Sequence, residues 1–138
     1  MFRSFLAVAV VCLVGCSEAP KPEKPTFEVW RPAATFSGHD NSQTESFQID
    51  TAEWRIRWTA HADSSAPDGI LKIAVHSTVS GRVLEDVVEH RGPGAGTAYV
   101  HEDPRTFFLV IESDRLQWTV TVEAPMQAQL AEPKPGAN

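Results

Sequence analysis

Residues 53–59 read Glu53-Trp54-Arg55-Ile56-Arg57-Trp58-Thr59. In an extended chain, Trp54, Ile56 and Trp58 fall on one side and the charged and polar residues on the other. Successive side chains of a strand point to opposite faces, so this period of two marks a β-strand with one face buried and one wet. The pattern recurs. Leu71, Ile73 and Val75 alternate with Lys72, Ala74 and His76, and Leu116, Trp118, Val120 and Val122 alternate with Gln117, Thr119, Thr121 and Glu123. Thr106-Phe107-Phe108-Leu109-Val110-Ile111 is apolar on both sides, as a central strand is. Shorter strands are expected at 34–37, 45–50, 82–89 and 97–101.

Turn sequences separate these runs: Ser37-Gly38-His39-Asp40-Asn41, Ala66-Pro67-Asp68-Gly69, Ser80-Gly81, Gly92-Pro93-Gly94-Ala95-Gly96, Glu102-Asp103-Pro104 and Ser113-Asp114. No window carries a sustained 3.6-residue apolar period. About 7–8 short strands with regular turns predict an all-β fold, an antiparallel β-sandwich of jelly-roll or Greek-key type. Phe107-x-Leu109-x-Ile111-x-Ser113, followed by Trp118-x-Val120-x-Val122-Glu123, reads as a closing hairpin. It is similar to the last strands of secreted bacterial CUB-like and pre-peptidase C-terminal domains, which implies a sandwich. CUB domains carry disulfides, whereas this stretch has no cysteine.

The whole chain has 138 residues and a formal charge of -6, enough for one domain. With 12 basic against 18 acidic residues it lacks the clustered cations that phosphate backbones require, so no nucleic-acid partner is expected. The two cysteines are Cys12 and Cys16. Nothing beyond residue 16 can form a disulfide, a thiolate metal site or a thiol nucleophile.

Those cysteines sit in an address. Arg3 precedes an apolar run from Phe5 to Val14 that is too short to span a bilayer and has the layout of a secretory signal. It ends in Leu13-Val14-Gly15-Cys16, which resembles the lipobox of bacterial lipoproteins. That resemblance implies a signal peptide over 1–15, diacylglycerol on the Cys16 thiol, cleavage before Cys16 and an acylated new amine. Two or three acyl chains hold a protein stably at a membrane, whereas one does so only marginally. Ser17 in place of an aspartate favours the outer over the inner membrane where both exist. The expected location is the periplasmic or outer face of a bacterial envelope. Residues 16–33, with Pro20, Pro22, Pro25 and Pro32, read as an extended tether, 34–124 as the sandwich and 125–138 as a disordered tail. Phe27, Val29 and Trp30 stand out within the tether as residues that dock on the domain or begin its first strand.

Candidate chemistry is sparse. Trp54, Trp58 and Trp118, on apolar faces, belong to the core. Trp30 and Tyr99, outside the strongest strands, are the aromatic candidates for a ligand. Arg55 and Arg57, on the wet face of one strand, have the geometry to grip a carboxylate or phosphate, or to pair with a cross-strand Glu or Asp. His39, His61, His76, His90 and His101 have no short metal-ligand spacing. Asp40 to Glu45 lacks the glycine and terminal glutamate of a calcium loop. Residues 92–96 lack the Lys-Ser/Thr of a phosphate loop and read as a flexible hairpin loop. No G-x-S-x-G elbow occurs. The expectation is therefore a non-enzymatic module without cofactor or metal, held at the membrane by lipid. It would contact a protein or glycan through loops near 38–44, 61–69 and 91–96, or bind carbohydrate through its exposed aromatics. A hydrolytic or metal-dependent enzyme with residues converging from distant strands is the third reading.

Overall fold

A computed structural model describes residues 26–62 and 68–129 of the chain. The described residues form nine strands: β1 (Thr26–Gly38), β2 (Ser42–Gln43), β3 (Phe47–Ile49), β4 (Glu53–Ala62), β5 (Ile70–Ser77), β6 (Val83–Arg91), β7 (Gly94–His101), β8 (Arg105–Asp114) and β9 (Leu116–Gln129). Every pairing is antiparallel. One sheet, here sheet A, has the order β1-β9-β4-β7. The other, sheet B, runs β2-β8-β5-β6, with β3 also on β8. First strand pairs with last, β2 and β3 with β8, β4 with β7 and β5 with β6. This is a long hairpin rolled into two layers, the jelly-roll form of the expected sandwich.

β2 and β3 are two pieces of one interrupted strand. Between them the Thr44 amide donates to the Leu109 carbonyl at 2.9 Å, and the Leu109 amide donates to Thr44 Oγ1 at 2.9 Å. The threonine hydroxyl stands in for a missing backbone acceptor, so the buried ladder stays paired.

The alternating residues meet between the sheets. Trp54, Ile56 and Trp58 of β4 and Leu116, Trp118, Val120 and Val122 of β9 face Leu71, Ile73 and Val75 of β5 and Phe107, Leu109 and Ile111 of β8, all buried. Each such side chain contributes roughly 1.5–3 kcal/mol on leaving water. The centre is aromatic: Trp54 lies 5.0 Å from Phe107 and 5.6 Å, edge-on, from Phe47 between ring centroids. Trp58 reaches its place because Gly96 stands opposite it; a Cβ there would come within 2.8 Å of the indole.

The structure departs from the sequence reading in three places. Paired strands start at Thr26 and run to Gln129, with Thr26 opposite Gln129, so the boundaries at 33/34 and 124/125 cut off part of sheet A. The prolines misled because Pro32 sits in an edge strand, at a register irregularity between Pro32 and Ala34, and Pro125 faces Trp30 in the same edge pair. Second, β8 and β9 are not a hydrogen-bonded hairpin: β8 lies in sheet B and β9 in sheet A. The turn between them, with Arg115 at a positive φ of 57°, carries the chain across the core. Two strands that face each other across a core show the same alternation as two that lie side by side, so periodicity could not distinguish them. Third, residues 94–96 of the expected glycine loop belong to β7, leaving Gly92 and Pro93 as a short step between sheets. The signal peptide, Cys16, residues 17–25, the 63–67 portion of the expected contact loops and residues 130–138 lie outside the described residues.

Candidate functional site

The outward face of sheet A gathers what the sequence scattered. β4 lies between β9 and β7, and the register sets their outward residues in rows. Thr35, Thr121, Arg57 and Thr97 form one row, Ser37, Thr119, Thr59 and Ala95 the next, and Pro32, Glu123, Arg55 and Tyr99 the row on the other side. Neighbours across strands stand about 4.8 Å apart and alternate residues along a strand about 6.7 Å.

Arg55 is the centre of a clamp. Its Nε donates to Glu123 Oε2 at 2.5 Å. Its guanidinium lies 4.4 Å from the Trp30 ring centroid, and Trp30 meets Tyr99 edge-on at 5.9 Å. Partial burial pulls the Arg55 guanidinium down, but hydrogen bonds with Glu123 and Tyr99 and the attraction of both outweigh it. The group is held above its ordinary value, charged at any physiological pH. Glu123 lies beneath, its side chain only 8% exposed, with Arg57 Nη1 3.5 Å from its Oε1. Trp30, Tyr99, Arg55 and Arg57 were four separate candidates in the sequence; in the fold they are one cluster around Glu123.

The two arginines differ. The Arg55 side chain is 21% exposed and committed to three partners, whereas that of Arg57 is 62% exposed and has one long contact. Beside Arg57 the face dips into an open hollow of about 440 Å³ lined by Arg57, Thr59, Thr97, Thr119, Thr121 and Ala95, with Gly96 and the Trp58 edge below. None of those four threonine hydroxyls hydrogen-bonds within the described residues. Tyr99, next to the hollow, is 49% exposed.

Glu123 and the threonines escaped the sequence reading. Thr119-x-Thr121-x-Glu123 was visible as a polar strand face, but which strand lay beside Arg55 was not. Other polar groups are dispersed. His39 and His61 share a second hollow with Ser37 and Gln117, of about 330 Å³. His39 contacts Asp40 at 3.2 Å and His101 contacts Glu53 at 3.7 Å. His76 stacks on Phe108 and His90 lies against Trp58. Among the described residues no three His, Cys, Asp or Glu side chains converge as metal ligands, and no helix is long and apolar enough to cross a membrane.

The fold and this face define an antiparallel jelly-roll sandwich with a polar, aromatic-flanked sheet surface. Comparison with known proteins finds no family model that matches the chain and no curated protein similar to it.

Proposed function

We propose that this chain is a membrane-anchored envelope lipoprotein whose jelly-roll domain is a non-enzymatic binding module, with the outward face of sheet A as its contact surface. The lipobox Leu13-Val14-Gly15-Cys16 supports the anchor. The observation that carries the binding reading is the convergence of Trp30, Tyr99, Arg55 and Arg57 on one exposed face, beside a hollow edged with threonine hydroxyls. On this reading the contact is a sheet surface rather than the loops at 38–44, 61–69 and 91–96.

Of the two partners that the sequence suggested, a glycan is favoured. Sugar rings present hydroxyls and flat C–H faces, and this surface offers hydroxyls, a guanidinium and aromatic rings in fixed register. A stable protein interface needs an apolar, well-packed centre, whereas around this hollow the outward side chains are polar except for Ala95.

Two measurements test the reading. Fatty-acid labelling and detergent-phase partitioning should follow the wild-type protein and disappear in Cys16→Ala; a soluble wild-type protein with another N-terminus refutes the anchor. A photo-crosslinker at Thr97 should capture glycan in cells, while one at Val79, on a distant turn, should not. Equal capture at both positions refutes the assignment of the face.

A further inference from the structure

The geometry points to an acidic glycan as the ligand of sheet A: a sugar bearing a carboxylate, sulfate or phosphate held by Arg57, with its hydroxyls on Thr97, Thr121, Thr59 and Thr119. This inference rests on reading the face as glycan-binding, and adds the charge.

Two arginines and one carboxylate meet here, so the cluster carries one positive charge on a chain whose formal charge is -6. Where that charge resides follows from the contacts. Glu123 Oε2 receives the Arg55 hydrogen bond, and Arg55 is further covered by Trp30 and Tyr99. The remaining oxygen, Oε1, lies 3.5 Å from Arg57 Nη1, too far for a strong charge-assisted bond. Arg57 therefore keeps most of its five donors free at the edge of the hollow. Glu123 is sunk beneath the arginines and presents little charge of its own outward.

The surroundings then select for a sugar over a bare ion. Thr121 and Thr97 flank Arg57 on the two neighbouring strands, and Thr59 and Thr119 stand one row along. A carboxylate seated bidentately on Arg57 leaves the rest of its ring over those hydroxyls, with Tyr99 at its side. A volume of about 440 Å³ suits one or two rings, at the lower end of small-ligand pockets. Arg55 occupies Oε2 of Glu123 and leaves Arg57 to face the ligand.

The test uses ¹⁵N-labelled full-length protein in detergent micelles, titrated with tetragalacturonate, with uncharged cellotetraose and with sodium sulfate. The expected result is shifts at Arg57 Nε–H and the Thr97 and Thr121 amides with tetragalacturonate, at least tenfold weaker with cellotetraose. Arg57→Gln should reduce the acidic ligand to the level of the neutral one, and Thr97→Val should weaken both, in variants whose spectra remain those of a folded domain. Equal binding of both oligosaccharides, unaffected by Arg57→Gln, overturns the charge inference and leaves the glycan reading standing. Absence of shifts with either sugar overturns both. Shifts at Arg57 with sulfate as large as with tetragalacturonate, and none at the threonines, mean an adventitious ion only and also overturn it.

Discussion

Removing Glu123 should reveal how unequal its two arginines are. In Glu123→Met the Arg55 guanidinium loses its 2.5 Å partner while 21% exposed, and Arg57 loses a 3.5 Å contact while 62% exposed. At an effective dielectric of about 20, unit charges 4 Å apart attract by about 4 kcal/mol, and desolvation of the pair cancels a large part of that. A net cost of about 2 kcal/mol follows for Glu123→Met, or about 10 °C in Tm for a domain of this size. In double-mutant cycles the Arg55–Glu123 coupling should be about 2 kcal/mol, and the Arg57–Glu123 coupling below about 0.5 kcal/mol, as for other exposed pairs. Arg55→Met/Glu123→Met should be more stable than Glu123→Met alone, because no uncompensated charge is left behind. The sign of the pH dependence also follows. A cation whose folded pKa is raised contributes fully below its unfolded value and loses that contribution only as pH rises through the folded pKa. The Arg55 contribution should therefore be constant between pH 6 and 9. Urea unfolding of the wild type, the three single variants at 55, 57 and 123 and the two double variants, at three pH values, measures all of this. Equal couplings for the two arginines, or none for Arg55, would refute the clamp.

Gly96→Ala places a Cβ 2.8 Å from the Trp58 indole, and chemical denaturation should show a loss of about 1–3 kcal/mol from the forced shift. Trp54 and Trp118 are both buried, but Trp54 Nε1 has no hydrogen-bond partner among the described residues while Trp118 Nε1 donates to the Asp40 carbonyl at 3.0 Å. Trp54→Phe should thus cost about 1 kcal/mol less than Trp118→Phe in the same assay; the reverse order would show that packing outweighs the indole donors. Iodide should quench little of the folded protein's fluorescence, and Trp30→Phe should remove most of what it does quench, since Trp54, Trp58 and Trp118 are buried.

Much of this molecule was legible in its order of residues. The alternation around Trp54, Leu71 and Trp118 marked the strands and the faces that would be buried, because a two-residue period is a local property of an extended chain. The doubly apolar run at 106–111 marked β8 as central, and it lies between β5 and the β2–β3 pieces. The ends were misjudged. Proline content reads as unfolded chain, but at an edge a proline withholds an amide that no neighbouring strand needs, so Pro32 could sit inside β1. The hairpin expected at β8–β9 failed for a different reason. Alternation reports that a strand has an inner face and is silent about which sheet supplies its neighbours.

The binding face was legible only in fragments. Arg55, Arg57, Trp30 and Tyr99 could each be singled out from residue type and position, and the alternation assigned both arginines to the wet side of β4. What brought them together is pairing between segments far apart in the chain: Arg55 and Glu123 are 68 residues apart, yet lie opposite one another in neighbouring strands. Sequence determined which side of each strand meets water, since that follows from covalent geometry. The rolled topology decided which wet residues became neighbours, since cross-strand register is set by how the whole core closes.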